Sequence, residues 1–314
     1  MTAYIARRLL ASVPTLVLIS MVVFGILALA PGDPLGQLAA NPDVPPEVRL
    51  NIRHQLGLDE PIPIRYMKWA SAFARGNWGY SFGSHMEASR LILQRLPTDL
   101  WVVGAAYLVA VFLAIPIGVL SAVKQYSVFD QISTTLAFIG FSLPTFFTGV
   151  LLIIIFSVRL HWLPFIFNVQ VTDPVGMLKQ AVMPVAVLAL FQSAGLMRFV
   201  RSSMLDNVSQ DYVRTARAKG LREGVVIIRH VLRNGLIPVV TLLALGLPAV
   251  FTGAVVTEQI FRVPGIGSLL IAGIQNNDTP VVMAITFLYA ILVVFFNLIA
   301  DVIYGVLDPR IKYG

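Results

Sequence analysis

Apolar residues gather into six long runs, with most polar residues held in the stretches between them. The runs lie near 9–30, 100–123, 132–157, 181–197, 236–257 and 281–306. Each is close to the roughly 20 apolar residues that an α-helix needs to cross a bilayer. Proline and glycine recur inside them, at Pro14, Pro116, Gly118, Pro144, Gly149, Pro184, Gly246 and Pro248. In water such residues would argue against helix, but inside a bundle the neighbouring helices satisfy the freed backbone groups. The pattern predicts an all-α membrane protein with six transmembrane helices.

The segments between the runs predict smaller elements. Pro31-Gly32-Asp33-Pro34 stops the first helix, and the turn-rich stretch 41–46 precedes a short amphipathic helix over 47–56 that ends near Gly57. A second short helix is expected over 66–73, before the turn Gly76-Asn77-Trp78-Gly79. This gives four parts: an anchor at 1–30, a small extracytoplasmic region at 31–96, a transmembrane core at 97–307 and a tail at 308–314. The first run also resembles a signal peptide, with Ala28-Leu29-Ala30 as a cleavage-like site. Its apolar stretch is longer than a signal core and Pro31 follows directly, so it is expected to stay as an anchor.

Composition narrows the class. With 57% hydrophobic and 12% charged residues and a mean hydropathy of +0.80, the chain is far from a soluble domain, where about a quarter of residues are charged. The net charge of +7 does not imply nucleic-acid binding here, because Lys and Arg are retained on the cytoplasmic side of membrane proteins. Arg7, Arg8, Lys124, the dense basic stretch 198–233, Arg310 and Lys312 all fall on one side of a six-span topology, which predicts both termini in the cytoplasm. There is no cysteine, which removes disulfides, thiol catalysis and Cys-zinc sites.

The expected spans hold almost no ionisable groups, Asp301 being the main exception. Proton relays and ion-coupling sites use such groups, so an ion-coupled secondary transporter, the alternative class, finds little support; nor are inverted repeats clear. No G-x-x-x-x-G-K-[ST] loop is present to cradle ATP phosphates. His54, His85, His161 and His230 are scattered without metal-ligand spacing. No metal site, no bound cofactor and no catalytic constellation are expected.

The basic stretch is the most informative segment. Residues 207–211 supply helix-starting side chains, and Asp211 lies in the first turn, where a negative charge suits the helix dipole. Val208, Tyr212, Ala216 and Gly220 follow at i, i+4 spacing, and Gly220 suits a helix end. A second helix is expected from Arg222, with Arg222, Arg229 and Arg233 on one stripe and Val225, Ile228 and Leu232 on another. Contact with anionic lipid would explain the charge. The small residues of Thr215-Ala216-Arg217-Ala218-Lys219-Gly220 suit close approach of another protein surface.

Asp211-Tyr-Val-Arg-Thr-Ala-Arg-Ala-Lys-Gly-Leu221, followed by 229–238, resembles the cytoplasmic coupling loop of ABC-importer permeases in its peptide-transporter version. Of the general Glu-Ala-Ala…Gly pattern, only Ala216 and Gly220 match; Arg214 and Thr215 stand at the other two places, and the usual late proline is replaced by Arg233. Arg7-Arg8-Leu9-Leu10, Pro31-Gly32-Asp33-Pro34, Gly76-Asn-Trp-Gly-Tyr-Ser-Phe82, Ser142-Leu-Pro-Thr-Phe146, Phe261-Arg-Val-Pro-Gly-Ile-Gly267 and Leu307-Asp-Pro-Arg310 are similar to other segments of the B-type peptide permease. The resemblance covers essentially the whole chain.

It implies a type I ABC importer permease fold in a bacterial inner membrane, with the coupling elbow at 206–238. It also implies partners: a second homologous permease, giving a heterodimer; two ATPase subunits that carry the ATP and Mg; and an extracytoplasmic binding protein. Asp211, Tyr212, Arg214, Thr215, Ala216, Arg217, Ala218, Lys219, Gly220 and Leu221 are then the expected ATPase-coupling residues. Ser142, Thr145, Thr148, Gln192, Ser193, Thr252 and Asn297 are the polar groups of the spans, available to line a pathway or to bond helices together. Residues 258–279, rich in Gly and Asn, are expected to form an external loop over the pathway or to meet the binding protein. Dipeptides, longer peptides, nickel chelates, glutathione and some oligosaccharides are the cargoes of look-alike systems.

Overall fold

The computed structural model describes residues 2–29, 45–55, 57–252 and 254–307. Among them are fourteen α-helices and two π-helical stretches, and no strand beyond one isolated bridge between Tyr80 and Glu87. The chain divides into two compact units, Met1–Pro97 with Gly265–Phe295, and Thr98–Pro264 with Phe296–Gly314. Five helices are long and apolar enough to cross a membrane: Arg7–Leu29, Ala88–Val123, Pro174–Val208, Glu223–Val250 and Thr279–Ile303. Two bent pairs, Val128–Ser142 with Thr145–Arg159 and Val255–Phe261 with Ile266–Gln275, are apolar enough when each is taken together, as a broken span or a re-entrant loop.

In the first unit, α1 (Thr2–Leu29) keeps Pro14 inside it. The expected short helices are present as α2 (Pro46–Gln55) and α3 (Ile62–Ala74). Ser20 and Tyr66 hydroxyls bond at 2.8 Å, and Phe24 meets the Tyr66 ring edge-on. Trp69 and Phe73 both pack on Phe287, while Phe73 stacks on Trp78. Gly79 takes φ +91°, and a Cβ there would stand 3.0 Å from Pro280. Both the backbone angle and the close approach demand glycine at that turn. The Asp278 carboxylate accepts from Ser81 Oγ and from the amides of Phe82 at 3.1 Å and Gly83 at 3.4 Å. It thereby fastens the loop to the start of the last helix.

In the second unit, the hydropathy runs correctly located the helices but misjudged their ends. The helix α4 (Ala88–Val123) starts well before residue 100 and contributes residues from 98 onward here. The run 132–157 is not one helix. It divides into α5 (Val128–Ser142) and α6 (Thr145–Leu152), which continues as a π-helical stretch, Ile153–Arg159. The two arms are bent by 100°. Pro144 is the cause: the residue before proline is pushed out of the α region, and Leu143 sits at φ −81°, ψ 126°. The helix α7 (Pro174–Val208) has 35 residues, about 50 Å of rise, against the 17-position run that marked it. Asp173 caps its start by accepting from the Gly176 amide.

The external loop expected at 258–279 is largely helical. It holds two helices separated by a short break, Val255–Phe261 and Ile266–Gln275, each shorter than the roughly 20 residues of a span. The longer of these two belongs to the first unit and the shorter to the second. The paucity of charge in the spans needs correction too. Asp99 in α4 and Asp130 in α5 are both buried, because those helices begin earlier than the apolar runs do. Asp301 is half-buried in the last helix, Thr279–Leu307.

Candidate functional site: the elbow

The elbow begins where α7 ends. Ser209 and Gln210 interrupt the helix, and α8 (Asp211–Ala218) restarts with Asp211 in its first turn, as the dipole argument expects. The restart breaks the i, i+4 row between Val208 and Tyr212, yet Val208 packs against the same core as Ala216, while Tyr212 is exposed. Val213 and Ala216 are the buried residues of α8, packed among Ala122, Val200, Met204, Val226, Val231 and Val239. Gly220 then takes φ +74°, the left-handed turn that ends many helices.

After Gly220, α9 (Glu223–Val225) runs into a π-helical turn, Val226–Leu232, and then into α10 (Arg233–Gly246). Of the expected apolar stripe of Val225, Ile228 and Leu232, only Leu232 turns inward, half-buried against the elbow's core. Val225 and Ile228 are exposed, and Val226 and Val231 are fully buried in their place. The wider π turn shifts the register, so a 3.6-residue period fails there. Arg222, Arg229 and Arg233 are all exposed, as expected.

The coupling candidates divide by exposure. Asp211, Tyr212, Arg214, Thr215, Arg217, Ala218, Lys219, Gly220 and Leu221 are exposed, while Ala216 points into the core. Ala216 therefore acts by letting α8 lie close to its own core, which corrects its expected place on the outer surface. Tyr212 donates to Asn207 Oδ1 at 2.8 Å, and Thr215 donates back to the Asp211 carbonyl at 2.9 Å. Arg217 is engaged within the chain: Nη2 reaches Glu223 Oε1 at 2.6 Å and Nε reaches Oε2 at 3.1 Å. This fork bridges α8 to α9, and the carboxylate bonded to it pushes the Arg217 guanidinium above its ordinary value. Glu223 was not foreseen; its spacing of six from Arg217 matches no helical contact rule. Arg214 makes a long 3.8 Å pair with the exposed Asp211, and Lys219 makes no ion pair among the described residues.

The pathway candidates scatter. Thr145, Thr148 and Ser193 line a cavity of about 480 Å³ between α4, α5, α6 and α7. Its walls are otherwise almost wholly apolar, with Leu113, Phe191 and Met197 among them. Ser193 also donates to the Leu190 carbonyl at 3.0 Å, and Thr148 to that of Pro144 at 3.4 Å. Ser142 ends α5 and Gln192 lies mid-helix in α7, neither lining the cavity. Asn297 is exposed on the last helix. Thr252 ends the short helix Pro248–Thr252, its side chain lying outside the described residues.

Several long apolar helices, with a short basic helix that buries one face and exposes the other, define a multi-span membrane protein. Residues 114–313 match the family described as "Binding-protein-dependent transport system inner membrane component". Residues 1–103 match the N-terminal component of the same systems. The chain belongs to this family. It is 41% identical over the full length of both chains to the oligopeptide transport system permease protein AppB of Bacillus subtilis (strain 168). It is 36% identical, again over all of both chains, to the glutathione transport system permease protein GsiC of Salmonella paratyphi A. A crystal structure of an amino acid ABC transporter with histidines superimposes with a TM-score of 0.53, covering 68% of this chain and 92% of that one. At 13% identity, that likeness concerns the fold. The chain is accordingly a multi-pass inner-membrane permease subunit of an ABC importer, a system that works with ATPase and binding-protein partners. This assignment displaces the ion-coupled alternative.

Proposed function

We propose that this chain forms one half of a pathway carrying peptides inward, with ATP energy entering through residues 211–221. Relatives named for oligopeptide and glutathione transport support a peptide-like cargo. The observation that carries the reading is the division of α8 into two faces. Val213 and Ala216 root the helix in the core, and Tyr212, Arg214, Thr215, Ala218, Lys219 and Leu221 are left outward. A lever needs both properties, since ATP binding elsewhere shifts this chain's equilibrium only through contacts that differ between states.

On this reading the ATPase subunits bind ATP and Mg, and this chain binds neither and catalyses no reaction. The second permease is a different, homologous chain. Both termini and the elbow lie in the cytoplasm, supported by the basic residues flanking the spans. Thr145, Thr148 and Ser193 offer hydroxyls to a passing backbone, with Ser142, Gln192, Thr252 and Asn297 as further polar positions. The four-part division of the chain at residues 30, 96 and 307 completes the proposal.

The absence of cysteine makes the test direct. Ala218→Cys, carrying a short photoactivatable crosslinker, is expected to capture an ATPase subunit in inside-out vesicles. Capture of lipid alone, or labelling only from the opposite side of the membrane, would refute the elbow's role.

A further inference from the structure

Asp130 is a buried carboxylate that gathers bonds from four places. It accepts from Ser121 Oγ on α4, from the Tyr126 amide in the connecting turn at 2.9 Å, and from Thr134 Oγ1 on its own helix at 3.3 Å. Arg201 on α7 completes the set as a two-pronged fork, Nε to Oδ1 at 2.7 Å and Nη2 to Oδ2 at 2.8 Å. The Asp130 amide is itself capped by Ser127 Oγ at 3.2 Å, and Tyr126 takes φ +65° to bring its N–H onto the carboxylate.

Arg201 stands on the stretch of α7 that also holds the elbow. Val200 and Met204 pack against Val213 and Ala216 of α8, and Ser203 Oγ donates to the Gly235 carbonyl of α10 at 2.6 Å. On the other flank α4 presses close to the same stretch: a Cβ on Gly118 would stand 2.8 Å from the Met197 carbonyl. Apolar packing holds helices together but fixes their rotation and register weakly. A planar fork on a carboxylate fixes both. Asp130 is buried and Arg201 half-buried, so removing the arginine is the costly break, because it leaves a buried carboxylate without its partner.

The geometry points to Asp130 and Arg201 as positioning residues for energy coupling, locking the α4–α5 turn and α7 into one rigid piece with the elbow. When the ATPases push on α8, the turn carrying Asp130 travels with it, and the motion reaches α5 and the bend at Pro144 instead of dissipating at a sliding helix contact. This rests on the reading of residues 211–221 as the ATPase contact.

The test uses the whole importer in liposomes, with native cysteines of the other subunits replaced. Spin labels on Val128→Cys and Ile228→Cys, both exposed positions, report the distance between the turn and the elbow. In the wild-type background that distance is expected to be the same without nucleotide and with ATP trapped by vanadate. Arg201→Gln is expected to broaden it and make it respond to nucleotide. Arg201→Lys, which keeps the charge but loses the fork, should fall between. A wild-type distance that changes with ATP overturns the inference, as does an assembled Arg201 variant with the wild-type distribution. If Arg201→Gln does not assemble, the wild-type and Arg201→Lys measurements decide the matter alone. Failure of the elbow reading has a different signature: crosslinks from Ala218→Cys to the ATPase are lost, whatever the label distance does.

Discussion

Val226 and Val231 are both fully buried in one cluster with Ala216, although they stand five positions apart. An α-helix would set such residues about 140° apart around its axis. The π-helical turn Val226–Leu232 closes that angle and seats both valines beneath the elbow. Truncating either one removes buried methyl groups and leaves a cavity where α8 rests. Val231→Ala is expected to destabilise the elbow by about 2 kcal/mol, seen as earlier proteolysis within 209–222 in detergent.

A π turn holds one residue more than the α-helix it interrupts. Deleting the exposed Ile228 should let the turn relax to α while keeping both valines inward. Deleting Thr241 from α10 should rotate everything after it. Expression and assembly are expected to survive the first deletion and fail with the second. Equal tolerance of the two deletions would count against the register argument.

Close helix approach gives another contrast. At Gly118 an added Cβ meets the Met197 backbone at 2.8 Å, whereas at Gly25 nothing stands within 4 Å. Gly118→Ala should lower stability by about 1–3 kcal/mol, measured as a drop in the unfolding midpoint of the purified chain. Gly25→Ala should be neutral or slightly stabilising.

Charge at the elbow separates external from internal roles. Lys219→Glu and Arg214→Glu are expected to weaken ATPase retention by about 1–2 kcal/mol each, read as faster dissociation during salt washes. Arg217→Glu is expected to be partly rescued by Glu223→Arg, because that fork closes within the chain. The exposed pair itself contributes only about 0–1 kcal/mol to stability, so its importance lies in holding α8 to α9.

How much of this was legible depends on the range of the interaction. Spans, the elbow's position and the glycine at its end could be read directly, since apolar runs and a positive-φ turn leave local marks. Helix ends were obscured where polar side chains extend a helix past its apolar core, as at both ends of α7. The break at Pro144 carried its own signal, because a residue before proline resists the α conformation, yet prolines elsewhere, such as Pro184 and Pro238, remain inside their helices. The π register left no periodic trace. Arg201 and Asp130 are 71 positions apart, and nothing local in either segment announces the other. Ala216 gives no sign in the sequence of facing inward, because small residues suit a partner's surface as well as a tight internal contact. Burial alone distinguished them.

The central claim is that this permease admits peptides only when an ATPase drives it. The decisive measurement is uptake of a mixed, isotope-labelled short-peptide pool into liposomes holding the complete importer, with luminal peptides identified by mass. Peptides should accumulate inside when ATP and the binding protein are both present, and cease to do so when either is omitted. Accumulation driven by a proton or sodium gradient without ATP would contradict the account, as would ATP-driven uptake by the permease in the absence of its ATPase subunits.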